Sequence, residues 1–134
     1  MILINEWFPN PAGADAKGEW IELWNNSKSP VGLSGWRLTP DGKKTFTLKG
    51  TISPGAYLVV PRALSKLALK NTDGALALYD ASGRLEDRAS FRGTAPEGES
   101  ANRTQTGSFF GKATPGAVNA VPRATALAHD NEYP

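Results

Sequence analysis

The clearest structural signal in this chain is the run GEWIELWN, residues 18–25. Ile21 and Leu23 have the same parity in this run. The residues of the opposite parity are Trp20, Glu22 and Trp24. Because successive side chains of a β-strand point to opposite faces, the alternation predicts a strand whose isoleucine and leucine face a core. The Asn25-Asn26-Ser27 sequence that follows is typical of a turn.

Short apolar stretches of the same kind recur along the chain, separated by turn residues. Fourteen glycines and ten prolines interrupt its 134 residues, and short strands between such turns are typical of a β-sandwich or barrel. We therefore predict an all-β sandwich of eight or nine mostly antiparallel strands. In the first run, Ile2 to Phe8, the apolar parity changes near Asn5-Glu6, which predicts a β-bulge there.

The predicted core consists of the apolar residues that share the inward parity. They are Ile4, Ile21, Leu23, Trp36, Leu38, Phe46, Leu48, Val59, Leu76, Leu78, Leu85 and Phe91. The run Tyr57-Leu58-Val59-Val60 is continuously apolar, so we expect that strand to be buried on both faces.

Length, composition and charge limit the class of protein. A chain of 134 residues fits one domain, and the strand pattern predicts a domain at residues 1–119 with a C-terminal tail or linker at 120–134. The chain has no cysteine, which excludes disulfides, thiolate zinc sites and thiol nucleophiles. The net charge of +2 is small, and the basic residues are scattered along the chain. No apolar run approaches the ~20 residues that a membrane span requires.

Several motifs along the chain resemble those of the lamin tail domain family, in family order over residues 2–119. They are Ile4-Asn5-Glu6, Pro9-Asn10-Pro11, Gly18 to Asn25, Leu33-Ser34-Gly35-Trp36-Arg37-Leu38, Ser53-Pro54-Gly55-Ala56-Tyr57, Leu69-Lys70-Asn71-Thr72-Asp73-Gly74, Glu97-Gly98-Glu99-Ser100 with Arg103, and Ala113-Thr114-Pro115-Gly116-Ala117-Val118-Asn119. The Thr-Pro-Gly-x-x-Asn ending is similar to the bacterial branch of the family.

This resemblance implies an immunoglobulin-like sandwich that acts as a non-catalytic accessory module, often in a surface or secreted multidomain protein. It favours an extracellular or cell-surface location, whereas a cytoplasmic location follows if Met1 is the native start. The chain has no coiled-coil rod, so the filament assembly of nuclear lamins does not carry over.

Catalysis and metal binding find little support in the residue types. His129 is the only histidine and lies in the predicted tail, so nucleophile systems that need a histidine base are not available. The candidate oxygen ligands for Ca²⁺ lie near the first loop and are Glu6, Asn10, Asp15, Glu19 and Glu22. The spacing of these residues matches no calcium loop. The alternative is that Asp15 caps a turn and that the two later glutamates pair with basic residues. We predict no enzyme activity, no cofactor and no metal.

The first candidate binding residues are Trp20, Glu22 and Trp24, which share the face opposite to the core. An exposed aromatic pair on a sandwich face is a candidate contact for a protein or glycan. The alternative is that a loop or the tail covers both tryptophans, or that they pack on cross-strand partners as ordinary sheet aromatics.

The second candidate set is Arg84, Arg88 and Arg92, whose spacing of four predicts one outward face shared with Glu86. A basic face of this kind is the electrostatic signature of nucleic-acid binding. Glu86 and Asp87 interrupt it, and solubility explains scattered charge equally well.

The function predicted from these patterns is a binding or assembly module whose partner is another protein, a second copy of the chain or a cell-surface polymer. The alternative is a nucleic-acid-binding accessory domain. As a mechanism we expect pairing at an exposed sheet edge, formed by the strand at residues 2–8 or its neighbour, or addition of the tail to a partner's sheet.

Overall fold

A computed structural model describes residues 1–13, 18–42 and 44–119 of the chain. Asp15, His129 and the predicted tail at 120–134 lie outside these residues. The described part contains eleven strands and one short helix. They are β1 (Ile2–Phe8), β2 (Trp20–Asn25), β3 (Val31–Gly32), β4 (Arg37–Pro40), β5 (Phe46–Thr47), β6 (Thr51–Ile52), β7 (Tyr57–Pro61), α1 (Arg62–Ser65), β8 (Ala75–Tyr79), β9 (Leu85–Ser90), β10 (Ser100–Arg103) and β11 (Ser108–Gly111).

The strands form three antiparallel sheets. The largest has the order β11-β10-β1-β2-β7, the second has the order β5-β4-β8-β9, and β3 pairs with β6. Eight of the strands have four residues or more, and the other three have two residues each. The predicted all-β sandwich is confirmed, and the strands beyond the predicted eight or nine are of this two-residue kind.

One hydrophobic core lies between the sheets, and both large sheets contribute to it. Its most enclosed members include Ile2, Ile4, Trp7, Ile21, Leu23, Leu33, Leu38, Leu67, Leu78 and Ala101. Seven of the twelve predicted core residues are at most 4% exposed. They are Ile4, Ile21, Leu23, Leu38, Leu48, Leu76 and Leu78. Phe91 is buried as well, and Trp36 and Phe46 are partly buried against the core.

The predicted bulge in β1 is confirmed. The register between β1 and β2 shifts between Ile4 and Glu6, so Ile4 and Trp7 both face the core although their sequence parities differ. Trp7 was missing from the predicted core and is 1% exposed. Its ring lies 6.1 Å from that of Phe91. One extra residue in a strand therefore changed which side chains are buried.

Two predicted core residues are corrected by the structure. Leu85 is 44% exposed, because the β8–β9 register shifts between Leu78 and Tyr79 and breaks the parity on which the prediction rested. In β7 it is Val60 that is fully buried, whereas Val59 is only half-buried. Tyr57, Leu58 and Val59 are only half-buried and Pro61 is exposed, so the expectation that β7 is buried on both faces was wrong.

The expectation that the strand at residues 2–8 or its neighbour forms a sheet edge was also wrong, because β1 and the two strands beside it are all internal to their sheet. Strand β1 lies in the middle of its sheet between β10 and β2. It pairs with β10 only at Glu6 and Trp7. Along the first half of β1, carboxylates of β9 accept the backbone hydrogen bonds that a neighbouring strand would otherwise accept. The Ile2 N–H donates to Glu86 Oε2 at 2.9 Å, and the Ile4 N–H donates to Asp87 Oδ2 at 2.8 Å.

Candidate interaction surface on the five-stranded sheet

The outer face of the five-stranded sheet holds the residues that alternate with the core positions. On β1 and β2 they include Glu6, Phe8, Trp20, Glu22 and Trp24, and on β7 and β10 they include Tyr57, Val59, Ser100 and Asn102. Residues 112–119, which we name the covering segment, contact this face through the side chains of Thr114 and Asn119 and the backbone amides of Thr114 and Gly116. The face therefore divides into a covered centre and two aromatic flanks.

A pair of carboxylates lies at the covered centre. Glu6 and Glu22 are opposite each other in the β1–β2 register and both are 0% exposed. The Glu6 carboxylate accepts hydrogen bonds from Ser100 Oγ at 2.6 Å, from the Thr114 N–H at 2.8 Å and from Thr114 Oγ1 at 2.9 Å. A buried anion needs such donors, since its desolvation is costly.

Glu22 is held in the same manner from both sides. Its carboxylate accepts hydrogen bonds from Asn5 Nδ2, at 2.9 Å, and from the Gly116 N–H. Burial raises the pKa of Glu22 above its ordinary value of 4.5, and the charge of Glu6 acts in the same direction, while the two hydrogen bonds oppose the shift. Burial, with a smaller effect of the Glu22 charge, also raises the pKa of Tyr57.

Asn119 fastens the end of the covering segment. Its Nδ2 donates to the Asn5 carbonyl at 2.9 Å and to the Arg103 carbonyl at 3.1 Å, and its Oδ1 accepts from Asn5 Nδ2 at 3.0 Å. Asn5 occupies the β1 bulge, where the extra residue leaves the regular ladder and its backbone becomes accessible to a side chain. The sequence predicted no role for Thr114, Gly116 and Asn119, although they belong to the motif at residues 113–119 that resembles the family.

Both tryptophans pack on cross-strand partners, as in one of the alternatives considered from the sequence. Trp20 lies opposite Phe8, with 5.7 Å between ring centroids. Trp24 lies opposite Tyr57, with 6.0 Å between centroids and only 13° between ring planes. The Trp24 Nε1–H also donates to the Gly55 carbonyl at 3.2 Å. Each tryptophan remains half-buried, so part of each ring is open to contact.

A groove of about 340 Å³ begins at Trp24. Its walls combine one large aromatic ring with several amide groups and a hydroxyl. The lining residues are Leu3, Asn5, Trp24, Asn26, Arg103, Thr104 and Gln105. An aromatic surface flanked by amide donors and acceptors is a type of surface that takes an extended polypeptide or a sugar ring.

The three candidate arginines lie elsewhere, along β9 and its flanking turns, and all three are exposed. Arg84 forms a surface ion pair with Asp80, with 3.5 Å between Nε and Oδ2. The β8–β9 register shift falls between Arg84 and Arg88, so the regular parity expected along this strand does not hold. Arg88 lines a second groove, of about 500 Å³, beside the four-stranded sheet.

The acidic residues near these arginines have internal roles. Glu86 is directed at the β1 backbone, as noted above, and does not share the exposure of the arginines. Asp87 forms a bidentate ion pair with Arg103, in which Nη1 and Nη2 lie 2.9 and 3.0 Å from the two carboxylate oxygens. Arg103 also donates to the Ile4 carbonyl at 3.2 Å. Asp87 and Arg103 together therefore hold β1, β9 and β10 in contact.

Of the oxygen ligands considered for Ca²⁺, Asp15 lies outside the described residues, and Glu6 and Glu22 lie opposite each other in the β1–β2 register. Glu19 binds Arg62, at 3.2 Å, and the Leu69 N–H, at 3.1 Å, which agrees with its expected basic partner. Glu22 has amide partners instead of a basic one, contrary to the expectation for it. Within residues 1–13, 18–42 and 44–119, no three His, Cys, Asp or Glu side chains gather as metal ligands would.

Within the same residues, none of the helices has the length and apolarity needed to cross a bilayer. No curated protein sequence matches the chain. Residues 1–93 match the family model described as Lamin Tail Domain, a family of immunoglobulin-like, non-catalytic domains. That match covers more than half of the sequence and agrees with the sandwich described above, so the chain belongs to the lamin tail domain family.

Proposed function

We propose that this domain is a non-catalytic recognition module that binds another protein, including a second copy of itself, through the outer face of the five-stranded sheet beside Trp24. One observation carries the proposal: a half-buried tryptophan lines a groove together with amide side chains. Tryptophan is enriched among the residues that dominate binding energy at protein interfaces.

The Trp24 ring is held in place before any partner arrives. It stacks on Tyr57 and donates its indole N–H to Gly55. A side chain that is already ordered loses little conformational entropy on binding. Trp20 is packed similarly on Phe8, and we propose it as a secondary contact on the other aromatic flank. The role proposed for Glu22 is positional, since it anchors the covering segment between the two flanks.

The distribution of polar groups supports a non-catalytic role. The paired carboxylates of Glu6 and Glu22 are the closest approach to an acid–base arrangement, yet both are enclosed and saturated with structural hydrogen bonds. A catalytic acid or base needs contact with a substrate proton. The covering segment separates both groups from solvent.

The test is an array of peptides and glycans probed with the full chain and with Trp24→Ala. We expect at least one class of ligand to bind the natural sequence and to lose roughly tenfold or more in affinity in the variant, as truncating an interface tryptophan commonly costs more than 1.4 kcal/mol. Phe109→Ala, which alters a half-buried aromatic on β11 that does not line the groove, is the matched control. Equal binding by Trp24→Ala and the natural chain would contradict the proposal.

A nucleic-acid-binding accessory function is the second candidate, supported by the exposure of Arg84, Arg88 and Arg92. It makes a different prediction, because binding to phosphates weakens steeply as salt concentration rises. Affinity for a labelled DNA duplex is measured over a salt series with the natural chain, Trp24→Ala and Arg88→Ala. A steep salt dependence that Arg88→Ala reduces and Trp24→Ala leaves unchanged favours this second function over the first.

A further inference from the structure

We propose that β7 is a docking edge whose occupant is the β7 strand of a second copy, paired antiparallel about a two-fold axis at Leu58. This inference goes beyond the proposed recognition function, because it names a second contact surface together with its partner and its mode of contact. Its support comes from the position of β7 in the sheet, the directions of its backbone groups and the location of its one proline.

Among the described residues, β7 is the one long sheet edge without a neighbour. β5, at one edge of the four-stranded sheet, has only two residues. β9, at the other edge, directs carboxylates to β1. β11 is tied to the neighbouring sheet, because Ser108 Oγ donates to the Ser90 carbonyl at 2.7 Å. β7 has five residues, Tyr57–Pro61, and pairs only with β2.

The hydrogen bonds at both ends of the β2–β7 ladder determine which backbone groups point outward. The Arg62 N–H donates to the Glu19 carbonyl at 2.9 Å, and the Asn25 N–H donates to the Ala56 carbonyl at 3.0 Å. Since hydrogen-bonded and non-bonded pairs alternate in an antiparallel ladder, Leu58 and Val60 also direct their backbone groups to β2. The N–H and C=O groups of Tyr57 and Val59 therefore point away from the sheet, together with the Pro61 carbonyl.

This edge lacks most of the features that discourage pairing. Exposed edge strands are normally short, charged or bulged, but β7 contains no charged residue and pairs with β2 without a register shift. Two identical copies therefore meet at this strand without like-charge repulsion between its side chains. Its only protective feature is Pro61, at the last position.

Pro61 selects the register of a symmetric pair. With a two-fold axis at Val59, Pro61 would lie opposite Tyr57 of the second copy and would offer no N–H to that carbonyl. With the axis at Leu58, Tyr57 lies opposite Val59 of the second copy. The N–H groups of Tyr57 and Val59 in the two copies then donate to the four outward carbonyls of the same residues. Pro61 takes no part in these four hydrogen bonds. The donor pattern is thus self-complementary, which is why we choose a second copy over an unrelated strand.

The resulting assembly is one continuous sheet with five strands from each copy. On its outer face, each Tyr57 ring lies beside Val59 of the other copy, an aromatic and β-branched pairing that suits neighbouring strands. A five-residue edge is only ~17 Å long at 3.3–3.4 Å per residue. We therefore expect a weak dimer, at the small end of specific interfaces.

The first experiment measures the mass of the full chain by sedimentation up to millimolar concentration. We expect the mass to double in the natural chain. Val59→Pro removes an outward N–H without touching a bond to β2, so this variant stays monomeric while keeping the native circular dichroism spectrum. Val59→Thr is the matched control, because it retains the N–H and the branched side chain, and it dimerises like the natural chain. A natural chain that remains monomeric overturns the inference.

The second experiment uses only the natural chain and so does not depend on the folding of any variant. Exchange of backbone amide hydrogens is measured at low and high protein concentration. The Tyr57 and Val59 amides gain protection only at high concentration, whereas the Leu58 and Val60 amides are protected at both. Protection of Tyr57 and Val59 at every concentration means that a segment of the same chain fills the edge, and it overturns the inference.

These outcomes separate this inference from the proposed function. A dimer that Trp24→Ala weakens and Val59→Pro leaves intact contradicts the β7 edge but supports recognition at the Trp24 groove. A dimer that Val59→Pro abolishes, with no loss of ligand binding in Trp24→Ala on the array, supports the edge and contradicts the groove.

Discussion

Glu6 and Glu22 are two carboxylates that oppose each other on neighbouring strands with no exposure to solvent. Charged groups are seldom enclosed without a partner of opposite charge. Within the described residues their partners are instead neutral donors. These are Ser100 Oγ, the Thr114 N–H and Oγ1, Asn5 Nδ2 and the Gly116 N–H. Three of the five donors belong to the covering segment, so the two carboxylates attach this segment to the sheet in addition to Asn119.

The raised pKa of Glu22 predicts a particular dependence of stability on pH. A carboxyl group whose pKa is higher in the folded than in the unfolded state binds its proton more tightly when folded. Its contribution is therefore fully present below pH 4.5, the ordinary pKa of this carboxyl group, and is lost as the pH rises through the raised folded pKa. Glu22→Gln removes this titration, so the free energy of unfolding of the natural chain should fall relative to that of the variant as the pH increases from 4.5.

The measurement is urea denaturation of both proteins at a series of pH values, with the difference between them as the quantity of interest. Taking the difference cancels the carboxyl groups that do not interact with Glu22, including Asp80, whose pKa is lowered mainly by the hydrogen bond from Ser82. If the free energies of unfolding of the natural chain and of Glu22→Gln change in parallel with pH, burial does not raise the pKa of Glu22.

At the scale of elements, β1 is the strand on which the arrangement of both large sheets depends. Its second half pairs with β10, and its first half receives side chains from β9 where a ladder partner is missing. Asp87 contributes most to this junction, since it binds the Ile4 N–H and both terminal nitrogens of Arg103. The bulge in β1 separates the two halves and places Asn5 within reach of the covering segment.

We predict that Asp87→Ala lowers the free energy of unfolding by about 2–3 kcal/mol, since it leaves a partly buried guanidinium and a backbone N–H without their acceptor. Arg84→Ala is the control. It breaks the Asp80 ion pair, in which the Arg84 side chain is 85% exposed, and exposed pairs contribute little. Chemical denaturation measures both variants. Similar effects of the two substitutions would mean that the β1–β9 junction contributes no more than a surface ion pair.

At the scale of the whole molecule, the domain extends beyond the part that the family match covers. The match ends at residue 93, yet β10 lies between β11 and β1 in the five-stranded sheet, and the covering segment follows both. Residues 94–119 are therefore integral to the sheet. The proposed boundary of the domain at Asn119 coincides with a side chain that is buried among hydrogen-bond partners.

Truncation tests this boundary. We predict that a chain ending after Asn119 keeps the denaturation midpoint of the full chain, whereas one ending after Gly111 is strongly destabilised because Glu6 and Glu22 lose buried donors. As point variants, Asn119→Ala should cost roughly 1–3 kcal/mol, and Val118→Ala, at an exposed neighbouring position, should cost little. Destabilisation by removal of residues 120–134 alone would move the boundary toward the C-terminus.

Much of the fold was predictable because alternation is a local property. The parity of Ile21 and Leu23 identified the core face of β2, and the parity break near Asn5 identified the bulge. The predictions for Leu85 and Trp7 failed where a register shift changed which face a residue occupies. The prediction of an exposed sheet edge at the strand of residues 2–8 or its neighbour was wrong. It failed because the order of strands in a sheet depends on contacts between residues far apart in the chain.

By itself, then, the amino-acid sequence determined that this chain forms an antiparallel sandwich of the lamin tail type and which face of β2 is apolar, since alternation and turn residues act over a few positions. Only the tertiary structure decided that Thr114 and Gly116 enclose Glu6 and Glu22, that Tyr57 stacks on Trp24 and that β7 is left at the edge. The physical reason is that these contacts join strands and segments distant in sequence. Their pairing is selected by the burial of the whole core and by the need of every enclosed polar group for a partner.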